Sequence, residues 1–181
     1  MQLQTKNLII RDLEDKDETS ILRILNNLNV SKNLQIIPHP YTEKDAKSWI
    51  FYSKEKSKDK KRKSYSFVIE LKENKELIGS VGIEKIDFFA EKAIIGYWLD
   101  EKYWNKGIMT EALSKIIDFA FHELKLNRLD LSTFVENLAS NKLAKKMGFT
   151  LEGIRKQYHK DKATGTLHDV NIYGLLKKDY L

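Results

Sequence analysis

The sequence predicts a mixed α/β domain, α+β-like in its order of elements, built on one sheet with helices packed against it. Three observations predict it. Apolar residues alternate with polar ones in short runs such as Tyr65, Phe67, Ile69 and Leu71, the period of a half-buried strand. In other runs, such as Ile21, Leu22, Ile24, Leu25 and Leu28, they recur at the helical period. The two kinds are interleaved along 181 residues with no repeat or low-complexity linker, a length that suits one domain with a real core.

Taken in order, Asn7 to Leu13 reads as a first strand, and the helical run from Ile21 to Leu28 follows the acidic start Asp15-Lys16-Asp17-Glu18. Val30 to Tyr41 holds both prolines, Pro38 and Pro40, and reads as a loop. Thr42-Glu43-Lys44-Asp45 suits a helix N-terminus, after which Ala46, Trp49 and Ile50 mark an apolar face. Tyr65 to Leu71 and Leu77 to Ile86 form a hairpin around Glu73-Asn74-Lys75. Residues 93 to 99 are an apolar run of strand length, and from Met109 the apolar period becomes helical to about Leu126. Arg128 to Val135 is the next strand, and Asn137 caps a helix that stops at Gly148, a natural C′ residue. Phe149 to Tyr158 and His168 to Leu176 are two last strands around Thr164-Gly165.

The switch from strand to helix at Gly107 carries the chemistry. A glycine there lets the backbone adopt positive φ, and the unpaired N–H groups of Ile108, Met109 and Thr110 then face outward along the positive end of the helix dipole. An anionic phosphate belongs at such a turn.

Composition excludes several alternatives. With no cysteine, disulfides, thiol nucleophiles and thiolate metal sites are ruled out, and His39, His122, His159 and His168 have no paired metal-ligand spacing. No metal is expected. No apolar run approaches a membrane span and the N-terminus lacks a secretory core, so the cytoplasm is expected. The net charge of +6 is concentrated in Lys54 to Lys63, seven basic and two acidic residues. This run is either a solvated helix end or a patch for an acidic or ribosomal partner.

Tyr103-Trp104-Asn105-Lys106-Gly107-Ile108-Met109-Thr110-Glu111-Ala112 resembles the acetyl-CoA signature of the GNAT superfamily of N-acetyltransferases: Arg or Gln, two residues, Gly, one residue, Gly or Ala. Trp104 stands in the Arg/Gln slot and Met109 in the second small-residue slot. The chain looks most like the RimJ/RimL-type ribosomal-protein branch, which has residues similar to Asn127-Arg128, Asn137-x-x-Ser140, Gly148-Phe149, Glu152-Gly153 and His168-Asp169-Val170. The resemblance implies a GNAT fold: a single twisted mixed sheet of about seven strands flanked by helices, with a splayed central parallel pair. It also implies one acetyl-CoA-dependent N-acetyltransferase domain over 1–181.

By the same resemblance, coenzyme A is held by the main chain of Trp98 and Leu99, by Lys106, Gly107, Ile108, Met109 and Thr110, and by Asn137 and Ser140. Ser140 is the catalytic acid for the departing thiolate, because Ala144 fills the slot where many GNAT enzymes have a tyrosine. The position of the branch's glutamate base falls on His159, with Glu84, Glu152 and His168 as other candidates. A histidine suits an α-amine, which titrates near 8, better than a lysine near 10.4. Trp49, Phe51 and Tyr52 lie in the region that walls the family's acceptor cleft. The acceptor expected is a protein N-terminal α-amine such as that of a ribosomal protein. The alternatives are a small amine (polyamine, amino acid or amino sugar) and a CoA- or ribosome-binding module without turnover. A homodimer is compatible with the family.

Overall fold

A computed structural model describes residues 1–180; Leu181, the last residue of the expected domain, lies outside them. Eight strands form one sheet, one more than expected, and the added strand is at the N-terminus. β1 (Gln2–Gln4) folds back on β2 (Leu8–Asp12) with Leu3 opposite Ile10. With only one apolar residue, β1 has no periodicity to read.

α1 (Glu18–Leu25) leads to α2 (Leu28–Ser31), a single turn capped by the Asn27 side chain where a loop was expected to open. α3 (Glu43–Ser57) begins in a capping box: Thr42 Oγ1 accepts from the Asp45 N–H, and the Asp45 carboxylate accepts from the Thr42 N–H. β3 (Tyr65–Leu71), β4 (Leu77–Asp87) and β5 (Lys92–Leu99) form an antiparallel meander. α4 (Ile108–Asp118) is shorter than the apolar period suggests, because the chain widens into a π turn over Phe119–Glu123. β6 (Arg128–Phe134), α5 (Leu138–Lys146), β7 (Thr150–Lys160) and β8 (Leu167–Leu176) complete the order.

The strands lie in the order β1-β2-β3-β4-β5-β6-β8-β7, and among the described residues only β5 and β6 are parallel. Parallel neighbours need a crossover, and α4 supplies it. On one face of the sheet, Met109, Ala112, Leu113, Ile116 and Ile117 of α4 bury against Ile83, Ile95 and Leu129. On the opposite face, Ile21, Ile24 and Leu25 of α1 and Ala46 and Ile50 of α3 close over Val68 and Leu77. Each such Leu or Ile contributes about 1.5–3 kcal/mol by leaving water. The central strands are thereby held rigidly from both sides.

Candidate active site

β5 and β6 pair over three positions only, from Lys92 opposite Arg128 to Ile94 opposite Asp130, and then separate. Beyond Ile94 the edge of β5 faces a gap in the middle of the sheet. Which residues offer main-chain groups to it follows from the period-two alternation of an antiparallel ladder. The Asp100 N–H bonds to the Ile78 carbonyl of β4, and the Trp98 carbonyl lies so near β4 that a Cβ on Gly79 would meet it at 2.6 Å. Even-numbered residues therefore turn their main chain to β4, and Tyr97 and Leu99 turn theirs to the gap. Trp98 was expected to offer main-chain groups there; its peptide belongs to the β4 ladder, and its indole packs on Trp49 at 6.1 Å on the α1/α3 face.

At the gap's outer end Gly107 caps α4 with φ 77° and no side-chain cap. Among the described residues nothing accepts from the N–H groups of Ile108, Met109 or Thr110. The two residues that depart from the signature each have another place in the fold. Met109 is buried in the α4 core and so stays off the turn, and the Trp104 indole N–H bonds to the Leu99 carbonyl at 2.9 Å. Glu111, the acid of the first turn, is drawn aside: its carboxylate accepts from Thr5 Oγ1 at 2.5 Å and the Asn7 N–H at 2.8 Å. Burial would raise its pKa, but these bonds outweigh it and hold the group below its ordinary range. Lys106 is exposed, its Nζ 5.2 Å from the Tyr103 ring centre.

On the α4/α5 face of the gap, Asn137 Oδ1 accepts from the Ser140 N–H at 3.1 Å, the expected cap. The Tyr97 hydroxyl is buried with no hydrogen-bond partner; burial pushes its pKa up, and the nearby Ser140 hydroxyl pulls against that. Asn141 was not singled out by sequence. Its buried amide donates to the Phe134, Val135 and Asn137 carbonyls and accepts from Asn171 Nδ2 and the Tyr173 hydroxyl, so it sets where α5 begins. A polar residue in line with Asn137 and Ala144 on the inward face of α5 was the available signal.

The opposite face is assembled from remote segments. After α2 the chain crosses the sheet, where Gln35 Nε2 donates to Ser132 Oγ at 3.3 Å and the Gln35 carbonyl meets His159 Nε2 at 3.0 Å. His159 lies against Phe134, and the same phenyl ring stacks at 3.9 Å on His168. His168 is fixed between two carboxylates, Glu136 and Asp161, the latter at 2.9 Å. Burial opposes protonation of His168, but these two partners outweigh it and raise its pKa, and both ring nitrogens are engaged by them. Asp161, 1% exposed, also accepts from Thr164 and Thr166; against the effect of burial these bonds lower it to about 2. Glu152 is held below its ordinary range by its ion pair with Arg128. Phe51, expected near the acceptor, instead lines a shallow groove with Asp15, Glu18 and Lys47, and Tyr52 is exposed.

A family model described as an acetyltransferase (GNAT) domain matches residues 7–150. The chain belongs to the GNAT acetyltransferase family. This GNAT chain is 34% identical to an uncharacterised N-acetyltransferase, p20, of Bacillus licheniformis, over 98% of its own length and 97% of the relative's. It is 33% identical over 113 residues to the ribosomal-protein-serine acetyltransferase of Escherichia coli K12, 62% of each chain. Among solved structures it is similar to the spermidine N-acetyltransferase of Vibrio cholerae in complex with CoA and spermine. That match has a TM-score of 0.82 at 25% identity and covers 97% of this chain and 99% of the other.

As a GNAT protein the chain is an acetyl-CoA-dependent N-acetyltransferase. Its site fits that cosubstrate on its own geometry: three free amides at a helix N-terminus for a diphosphate, a strand edge that β6 leaves after Ile94 for an extended amide-containing arm, and an orphaned Tyr97 hydroxyl beside the gap. Among the described residues no cluster could hold a metal ion, and no helix is long and apolar enough to cross a membrane.

Proposed function

We propose that the chain is one catalytic unit that acetylates a primary amine by direct attack, and that the acceptor is a protein N-terminal α-amine, as in RimJ/RimL-type enzymes. The observation that supports this most is the gap itself, with Ser140 and Tyr97 on one face and Gly96, Phe134 and His159 on the other. Acetyl-CoA, when bound, supplies an acetyl group activated as a thioester. The amides of Ile108, Met109 and Thr110, with Gly107 and Lys106, take the diphosphate, and Tyr97, Leu99 and Asn137 take the arm leading to the thioester. Ser140 hands a proton to the leaving sulfur from the α5 side. His159 works from the other side: its Nε2–H points to the Gln35 carbonyl, so Nδ1 keeps the lone pair that takes a proton from the attacking nitrogen.

A ribosomal protein is the acceptor favoured by the similarity to the Escherichia coli enzyme. A small amine is the second reading, favoured by the Gln35 crossing, which narrows the cleft over Ser132 and His159. We also propose a cytoplasmic location and a homodimer; edge strand β7 leaves Leu151, Ile154 and Tyr158 exposed for a second copy. In the basic run Lys54, Lys58 and Arg62 are paired with Asp15, Glu55 and Asp12, so an acidic or ribosomal partner would meet the remaining lysines.

Calorimetry with acetyl-CoA, combined with thiol release over a panel of N-terminal peptides and small amines, tests the proposal. Tight binding with peptide-dependent release is expected. Release with small amines alone favours the second reading, and binding without acceptor-dependent release reduces the chain to a CoA-binding module.

A further inference from the structure

On the α1/α3 face, three small residues lie in one row across adjacent strands: Ser66 of β3 is opposite Gly82 of β4, which is opposite Gly96 of β5. Gly96 is exposed at the edge of the gap, and a Cβ there would touch nothing within 4 Å. The row is therefore floored by main chain, buried at Gly82 and open at Gly96, and it runs to the place where β5 loses its partner. One acidic side chain stands in it. Glu84, two residues along β4 from Gly82 and in register with Ile94, places Oε1 3.4 Å from where a Gly82 Cβ would sit.

Resting on the reading above, we infer that Glu84 receives the acceptor's ammonium group beside the open end of this row and takes its first proton. Its surroundings suit that task. Glu84 is half-buried and, among the described residues, has no ion pair; its hydrogen-bond partner is Ser66 Oγ at 3.2 Å. A carboxylate drawn out of water without a cation is costly to keep charged, and an arriving ammonium supplies the missing charge. Burial pushes its pKa up, opposed by the Ser66 hydrogen bond and by the charge of neighbouring Lys85. That moves it toward the pH at which it both accepts and releases protons. Across β5, in register through Ile94, stands Asp130, its charge already taken by Arg128.

The proton balance leaves room for both Glu84 and His159. An ammonium must lose two protons to become an amide nitrogen: one before the N–C bond can form, one as it forms and the C–S bond breaks. Glu84 takes the first and passes it to solvent. The second goes to His159 and matches the one that Ser140 gives to sulfur, so one proton is released per turnover.

The test compares wild type, Glu84→Gln, Glu84→Asp and Ser66→Ala, using the amine or peptide that gives the fastest thiol release. For Glu84→Gln, kcat/KM is expected to fall about 10²- to 10⁴-fold at neutral pH. The loss should shrink as pH rises and the amine becomes neutral by itself, while acetyl-CoA affinity stays unchanged. Glu84→Asp should restore part of the rate, and Ser66→Ala should shift the acid limb of the profile upward. Independently of turnover, ¹³C NMR of the Glu84 carboxyl should show a raised pKa that falls when the same amine is added. A Glu84→Gln profile matching wild type, or a carboxyl resonance indifferent to the amine, overturns the assignment. Failure of wild type to bind acetyl-CoA would instead overturn the cofactor reading beneath it.

Discussion

The two ends of the gap are built by opposite strategies. The phosphate end is contiguous: a strand, a glycine turn and a helix within about twenty residues, acting through main-chain amides. The proposed acceptor face is dispersed: Gln35, Glu84, Gly96, Ser132 and His159 come from five separate segments. A site made of backbone tolerates side-chain drift, which accounts for Trp104 and Met109 in the signature slots. A site made of residues from remote segments is redefined by each substitution, and substrate choice is expected there.

That contrast can be broken by mutation. The largest effect is expected for Ser140→Ala, a fall in kcat of about 10²- to 10⁴-fold with acetyl-CoA affinity nearly intact; an unchanged kcat in a thiol-release assay removes Ser140 from the chemistry. Gly107→Val should do the reverse. Forcing a β-branched residue to φ 77° costs about 1–2 kcal/mol, so acetyl-CoA should bind on the order of tenfold more weakly by calorimetry, with kcat little changed at saturation.

A smaller effect concerns pH. Because the folded-state pKa of His168 is raised, the stability it contributes is complete below its unfolded pKa near 6.5 and is lost as pH rises through the folded value. Asp161, lowered to about 2, contributes above the unfolded pKa near 3.9, and its share is lost as pH falls toward 2. Urea midpoints of wild type and His168→Gln should converge above neutral pH. If they stay parallel from pH 5 to 9, the Glu136–His168–Asp161 bridge is not what ties the β7–β8 turn to the start of α5. The smallest effect is expected for Trp104→Phe, which removes one hydrogen bond, about 1 kcal/mol of stability, and leaves acetyl-CoA affinity within about twofold.

Most strands and helices were legible because their apolar period is local, and Gly107, Asn137 and Gly148 marked their ends. The exceptions have physical causes. β1 is too short to show a period, α2 is a single turn packed by Val30, and the π turn after Asp118 keeps the apolar spacing of the helix it ends. Within the site, the assignment of Trp98 to the gap missed by one residue, since only ladder parity tells which peptides face outward. Glu152 and His168 were reasonable bases by residue type, but Glu152 is paired with Arg128 and His168 lies between two carboxylates, which sequence does not show.

By itself the sequence determined the kind of cosubstrate site, because a glycine turn before an amphipathic helix dictates where free amides point regardless of what packs around it. The tertiary structure decided the rest: that β5 and β6 part after Ile94, that Ser140 and His159 stand on opposite faces of the opening, and that a lone carboxylate waits beside a row of small residues. Backbone direction follows from neighbours in the chain, whereas the charge state and company of a side chain depend on segments a hundred residues away.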